Sequence, residues 1–170
     1  AGCFELLEPL GVGAQGEVYR AYNHDAPSYV ALKLLSEQAQ AKPEDRARFA
    51  REAQVLKAVR HPALPELFEC RTSEKQRRPY IAMSLAPGRR AGEFCIARNL
   101  LPVAEVIEVG KCLAGALAAL HARGIVHRDV HMSNVVIDRV QKTTTATLID
   151  VGMAQLDDKF FAVVDQRYHP

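Results

Sequence analysis

The chain predicts an α+β fold in two parts, strand-rich up to residue 86 and helical after it. Three observations carry this. The first part holds short apolar runs of strand length, bounded by glycine-rich or polar turns. Two stretches, one in each part, repeat apolar residues at helical spacing. Between the parts Pro87-Gly88 punctuates the chain.

Residues 4–10 and 17–23 flank a glycine-rich string and predict a hairpin. Residues 29–35 predict a third strand. Because strand side chains alternate, Ala31 and Lys33 share one face while Val30, Leu32 and Leu34 take the other. Residues 43–59 predict a helix. Pro43 suits its first turn, and Glu44 and Asp45 suit the positive end of its dipole. Phe49, Ala53, Leu56 and Val59 recur at helical spacing, with Glu52 on nearly the face of Leu56; no Ser, Thr, Asp or Asn caps the start. Residues 67–72 and 80–85 predict two more strands around a polar turn at 73–78. A second helix, 101–121, carries Val106, Val109, Leu113, Leu117 and Leu120 and stops at Arg123-Gly124. Residues 135–137 and 145–149 predict a hairpin around a Thr-rich turn at 141–144.

The 170 residues suffice for one domain with a core, and the 48% hydrophobic and 25% charged fractions are ordinary for a globular protein. A formal net charge of +2, without a basic run interleaved with aromatics, argues against a nucleic-acid partner. The four cysteines form no CxxC pair or Cys/His cluster, so free thiols in a reducing cytoplasm are expected. The small apolar stretch 112–120 falls far short of the ~20 residues of a membrane span. No membrane segment is expected in this chain. No signal-peptide pattern is present either. Ala1 is not an initiator Met, so a sequence trimmed at the front is expected.

Four strings carry chemistry. Gly11-Val12-Gly13-Ala14-Gln15-Gly16-Glu17-Val18 lies between two strands, whereas the dinucleotide-binding version of this spacing must open a helix. Without Cβ atoms such a loop closes over phosphates without clash; the plain alternative is a glycine-rich hairpin. Lys33, in Val30-Ala31-Leu32-Lys33, faces the same way as a small alanine on an apolar strand. A buried ammonium is costly unless paired, and Glu52 follows nineteen residues later. The plain alternative is a strand-edge lysine and a solvated glutamate. His127-Arg128-Asp129 is followed by Asn134, five residues after the aspartate, and Ile149-Asp150-Val151-Gly152 sets a carboxylate between a strand and a glycine hinge. A phosphate cover, a cation, a carboxylate for a hydroxyl and two oxygen ligands for magnesium are the parts of a phosphoryl-transfer site.

On these motifs the chain resembles the protein kinase family, most closely the bacterial relatives of the eukaryotic Ser/Thr kinases. The resemblance extends over essentially the whole chain through His61-Pro62-Ala63-Leu64 and Pro79-Tyr80-Ile81-Ala82-Met83-Ser84-Leu85-Ala86-Pro87-Gly88. It implies a two-lobe kinase fold. Residues 1–86 would form an N-lobe of a five-stranded antiparallel sheet and a helix. Residues 87–170 would form an incomplete helical C-lobe with catalytic loop, magnesium-binding Asp-Val-Gly and activation segment. It implies ATP and Mg2+ as cofactors and a protein substrate. Leu10, Gly11, Val12, Gly13, Ala14, Gln15 and Gly16 would cover the nucleotide. Lys33 would hold its phosphates and Glu52 would hold Lys33. Met83 would be the gatekeeper, the Ser84 carbonyl and Ala86 amide would pair with the adenine edge, and Val18, Ala31 and Val136 would sandwich the ring. Asp129 would orient the acceptor hydroxyl, and Asn134 and Asp150 would bind Mg2+. The implied activity is ATP-dependent phosphoryl transfer to Ser/Thr hydroxyls of proteins. The alternatives are a small-molecule kinase of the aminoglycoside-phosphotransferase type and a nucleotide-binding pseudokinase or scaffold.

The pattern departs from the family in four places. His131 stands where protein kinases place a lysine at the γ-phosphate; it would donate a hydrogen bond there, and a lysine should serve at least as well. Val151 replaces the usual Phe. Residues 150–170 contain no Ser or Thr, leaving Tyr168 as the hydroxyl to modify and Asp157, Asp158 or Asp165 as fixed negative charges. The match stops short of the Ala-Pro-Glu segment, so the rest of the C-lobe or further domains are expected in the natural protein. The 101–121 helix would then keep part of its apolar face uncovered.

Overall fold

The computed structural model describes residues 3–13, 15–72, 78–96, 100–141 and 143–156. The expectations for Ala14, most of the 73–78 turn, Asp157, Asp158, Asp165 and Tyr168 fall outside these residues. The chain separates into two compact units. One comprises the residues up to Lys57 with Pro65–Ala86; the other comprises Ala58–Leu64 with the residues from Pro87 on.

In the first unit β1 (Phe4–Gly13), β2 (Gly16–Asn23), β3 (Ser28–Leu35), β4 (Leu67–Arg71) and β5 (Tyr80–Ser84) form an antiparallel sheet in the order β1-β2-β3-β5-β4. The alternation read from β3 is observed: Val30, Leu32 and Leu34 pack with Phe4, Ala21, Tyr80 and Ala82 in one core cluster. Phe4 and Tyr80 meet edge to face at 5.5 Å. Ala31 and Lys33 are buried too. β3 is a central strand covered on both faces, which explains its unbroken apolar run.

Two helices follow β3. α1 (Glu37–Gln40) is capped by Ser36, whose side chain accepts from the Ala39 amide at 3.1 Å. Four residues are too few to show a period, so the sequence pattern passes over it. α2 (Pro43–Ala58) buries Phe49, Glu52, Ala53, Val55 and Leu56 along one face. β1 runs three residues past the expected Leu10, because the glycine string itself pairs across the ladder, Gly11 with Val18, Val12 with Glu17 and Gly13 with Gly16.

The second unit contains β6 (Arg89–Arg90), α3 (Ala91–Ile96), α4 (Val103–His121), β7 (Ile125–Val126), a 3-10 turn at Met132–Asn134, β8 (Val135–Val140), β9 (Thr143–Leu148) and β10 (Gln155–Leu156). β6, β8 and β9 make one small sheet, β7 and β10 another. Ala58–Leu64 is tied to this unit by backbone acceptors. Leu148 N–H donates to the Ala63 carbonyl at 2.9 Å, and Arg123 Nη1 to that of Ala58 at 2.8 Å. Glu105 fastens α4 to the β8–β9 hairpin through Arg139, at 2.7 Å, and Thr144. Of the stripe expected on α4 only Leu120 is fully buried, joined by Ala116; Val106 is 53% exposed. Periodicity reports which residues share a face, and only packed neighbours decide how much of it is covered. Among the described residues no helix is long and apolar enough to cross a membrane.

Gly16 has φ +156°, and a Cβ there would lie 1.9 Å from the Leu34 carbonyl oxygen, whereas a Cβ at Gly13 would meet nothing within 4 Å. Gly16→Ala should therefore cost on the order of 2 kcal/mol or more, because backbone on backbone cannot yield. Gly13→Ala should stay within about 1 kcal/mol of the wild type. Urea denaturation of both variants checks the difference.

Candidate active site

β3 sets Lys33 in the middle of the sheet, paired with Val18 of β2 and Ile81 of β5. Its Nζ donates to Glu52 Oε2 at 2.6 Å, and the two side chains are 9% and 1% exposed. Removing either charge from so dry a setting takes the other's counter-charge away, typically at a cost of about 3–5 kcal/mol. The pair therefore fixes the register of α2 against the sheet as well as the direction of the ammonium. Beside it the glycine string is anchored, since Ser36 N–H donates to the Gln15 carbonyl at 3.0 Å. Along the same ladder Ala31 pairs with Met83, and Val30 with Ser84. Ser84 is held from β4's side by reciprocal bonds with the Glu66 backbone, at 2.8 and 2.9 Å.

In the second unit β7 ends at Val126 and delivers His127-Arg128-Asp129. His127 is 1% exposed, and its Nδ1 accepts from the Asp129 amide at 3.3 Å. Arg128 is exposed and adopts φ +66°. For a residue with a Cβ this left-handed conformation costs energy, and it turns the chain sharply so that Asp129 follows a buried histidine at once. Asn134 Nδ2 then donates to both the carbonyl and Oδ2 of Asp129, each at 3.0 Å. His131 Nε2 lies 3.4 Å from the same Oδ2.

The β8–β9 register brings Asp150 to this loop. Val135 pairs with Leu148, and one step beyond, Ile149 N–H donates to the Asn134 carbonyl at 2.8 Å. Asn134 thus enters the hairpin where Asp150 leaves it. Asp150 also has positive φ, +64°, and its Oδ1 accepts from the Gly152 amide at 3.0 Å. Val136 and Val151 are buried.

Of the expected residues, the first unit brings Lys33 onto Glu52 and Ala31 beside Met83. The second gathers Asp129, His131, Asn134 and Asp150. Two participants had no sequence signal. The Ser133 amide donates to His131 Nδ1 at 3.2 Å, and Arg90 Nη1 donates to the Ser133 carbonyl at 3.3 Å, across forty-three residues of chain. No local pattern announces a contact of that span.

Burial pushes the His127 imidazole below its usual range, partly opposed by the nearby carboxylates of Asp150 and Asp129. The neutral ring is what its geometry requires. With Nδ1 accepting, the proton sits on Nε2, which is buried and finds no partner among the described residues.

The first unit holds a buried Lys–Glu pair on a five-stranded sheet, and the second holds an Asp/Asn loop joined to a second aspartate by a hairpin. Comparison with known proteins shows the family. The protein kinase domain family matches residues 4–160. Serine/threonine-protein kinase pkn2 of Myxococcus xanthus is 33% identical over 155 residues, covering 91% of this chain and 18% of that protein. Serine/threonine-protein kinase PknI of Mycobacterium tuberculosis is 37% identical over 136 residues, covering 79% and 23%. The DNA damage-responsive serine/threonine-protein kinase RqkA of Deinococcus radiodurans is 32% identical over 163 residues, covering 94% and 23%. The chain belongs to the protein kinase family. It spans about a fifth of the length of these curated relatives.

Two outcomes follow from the buried groups. Glu52→Ala should lower stability by about 3–5 kcal/mol, and combining it with Lys33→Met should recover part of that loss, since the buried ammonium that lost its carboxylate is then gone as well. Equilibrium urea unfolding of the single and double variants measures both. For His127 the folded value lies below the unfolded one. Well above pH 6.5 both states are neutral and the group is silent; as pH falls through about 6.5 the unfolded chain takes a proton that the folded ring refuses. Stability should fall as pH drops from about 7.5 to about 5.5. His127→Asn, which keeps the acceptor for the Asp129 amide, should fall less; urea midpoints at the two pH values test this.

Proposed function

We propose that this chain carries the nucleotide-binding and acceptor-activating machinery of a protein kinase that transfers the γ-phosphoryl group of ATP to Ser or Thr hydroxyls of a protein. The observation that carries the reading is the Asp129 carboxylate, clamped by Asn134 on a loop that bends through a strained Arg128. In this reading Lys33, held straight by Glu52, neutralises charge on the phosphates. The glycine string from Leu10 to Gly16 covers them, with Val18, Ala31, Met83, Ser84, Ala86 and Val136 serving the adenine. Asp129 accepts a hydrogen bond from the acceptor hydroxyl and aims it. Catalysis is then mainly positioning and charge stabilisation.

The residues present fit a magnesium ion. Asn134 turns its amide nitrogen to Asp129, and its Oδ1, which takes no hydrogen bond among the described residues, suits a hard cation as an oxygen ligand. No three His, Cys, Asp or Glu side chains gather into a metal site among the described residues. Asn134 and Asp150 would therefore share the ion with the nucleotide's own oxygens, the usual arrangement for Mg2+. The ion, when bound, supplies positive charge to the phosphates. Cys3, Cys70 and Cys112 are free thiols, which suits a reducing cytoplasm.

The test uses the full-length protein and γ-labelled ATP, following label transfer to itself and to a generic basic protein. Asp129→Asn should cut turnover at least about a hundredfold while nucleotide binding persists. Asp150→Asn should make nucleotide affinity indifferent to Mg2+. Near-normal turnover in Asp129→Asn, or label passing to aminoglycosides alone, would overturn the reading.

A further inference from the structure

We propose that His131 is a positioning residue for Asp129: its ring bridges the Ser133 amide and the Asp129 carboxylate, and so selects which carboxylate oxygen meets the acceptor hydroxyl. The inference rests on the phosphoryl-transfer reading above and replaces the γ-phosphate role expected for this residue.

The argument starts with backbone. His131 is extended, at φ −150° and ψ 167°, and caps the 3-10 turn Met132–Asn134. Its Nδ1 accepts from the Ser133 amide at 3.2 Å. A ring nitrogen that accepts carries no proton, so the proton of the neutral imidazole sits on Nε2. That nitrogen lies 3.4 Å from Asp129 Oδ2. The distance is longer than a formed hydrogen bond, and such contacts tighten when substrate engages.

Oδ2 is already the acceptor for Asn134 Nδ2 at 3.0 Å. With Asn134 on Oδ2 and the ring of His131 drawn to the same oxygen as substrate engages, Oδ1 is left for the acceptor hydroxyl. The ring also ties this carboxylate to the turn that carries Asn134, since the amide it caps belongs to the residue just before it. His127 and His61 use the same device, each accepting at Nδ1 from the amide two residues on. At those two positions it serves a turn alone. At His131 the second nitrogen faces Asp129.

A lysine cannot do this. Its ammonium has three donors and no acceptor, so the Ser133 amide would lose its partner. On this proposal lysine at this position should serve less well than histidine, the opposite of what the family pattern implies. Asparagine and glutamine separate the two halves of the role. The Asn oxygen falls where Nδ1 was and keeps the cap; the Gln amide reaches where Nε2 was and keeps the contact with Asp129.

The experiment compares wild type, His131→Asn, His131→Gln and His131→Lys in the full-length protein, by steady-state transfer to itself and to a basic protein. In Asn and Lys, kcat should fall about tenfold or more with KM for ATP unchanged, because a misaimed base slows the reacting step alone. Gln should retain more kcat than Asn. Lys turnover at or above wild type would overturn the proposal and return the ring to the γ-phosphate. Asn equal to Gln would reduce the role to the cap and also overturn it. A rise in KM for ATP with kcat unchanged would place the ring on the nucleotide instead. An inactive wild type would remove the kinase reading and this inference with it; an active wild type with unaltered variants would remove this inference alone.

Discussion

A lysine and a glutamate held out of water 2.6 Å apart set the constraint around which the first unit is packed. Burying two ions is costly, and their attraction offsets that cost only when the geometry is held by everything around them. Here it is held by a strand covered on both faces and by a helix that commits Phe49, Ala53, Val55 and Leu56 to the same packed side as Glu52. Hydrophobic burial places the helix; the ion pair specifies its rotation and its slide along the sheet. In the proposed function a cation prepared in this way would need little reorganisation when the nucleotide's phosphates arrive.

The second unit meets the same need by backbone means. Its Asn134 and Asp150 stand at the open end of a hairpin, and the hairpin's register decides which residues stand there. Asn134 enters β8 and Asp150 leaves β9, joined by a single bond between Ile149 and the Asn134 carbonyl. A slip of one residue would turn Val135 and Leu148 out of the core, so register is defended by burial. Two non-glycine residues with positive φ, Arg128 and Asp150, flank the result. Such conformations persist only where the surroundings over-determine them, and both lie beside the proposed acceptor and metal positions.

Much of this was legible from the chain. The five strands of the first unit, α2, α4 and the β8–β9 hairpin all appear close to where alternation, helical spacing and turn residues put them. They are long enough for a period to repeat. α1, α3, β6, β7 and β10 were not legible. They run from two to six residues, and their existence depends on partners far along the chain, as when Arg89 pairs with Ile137 or Gln155 with Val126.

The residue types and spacings of Lys33, Glu52, Asp129, Asn134 and Asp150 are properties of the sequence itself, and a cation, a carboxylate and oxygen ligands at set intervals are what the proposed phosphoryl transfer requires. Tertiary structure decided what each side chain touches. It turned the Asn134 amide toward Asp129, put the Ser133 amide on one nitrogen of His131 and Asp129 near the other, and left Val106 of α4 in solvent. A sequence records which donors and acceptors a residue owns. Which of them is used depends on directions and distances between atoms, and these exist only once the chain has folded.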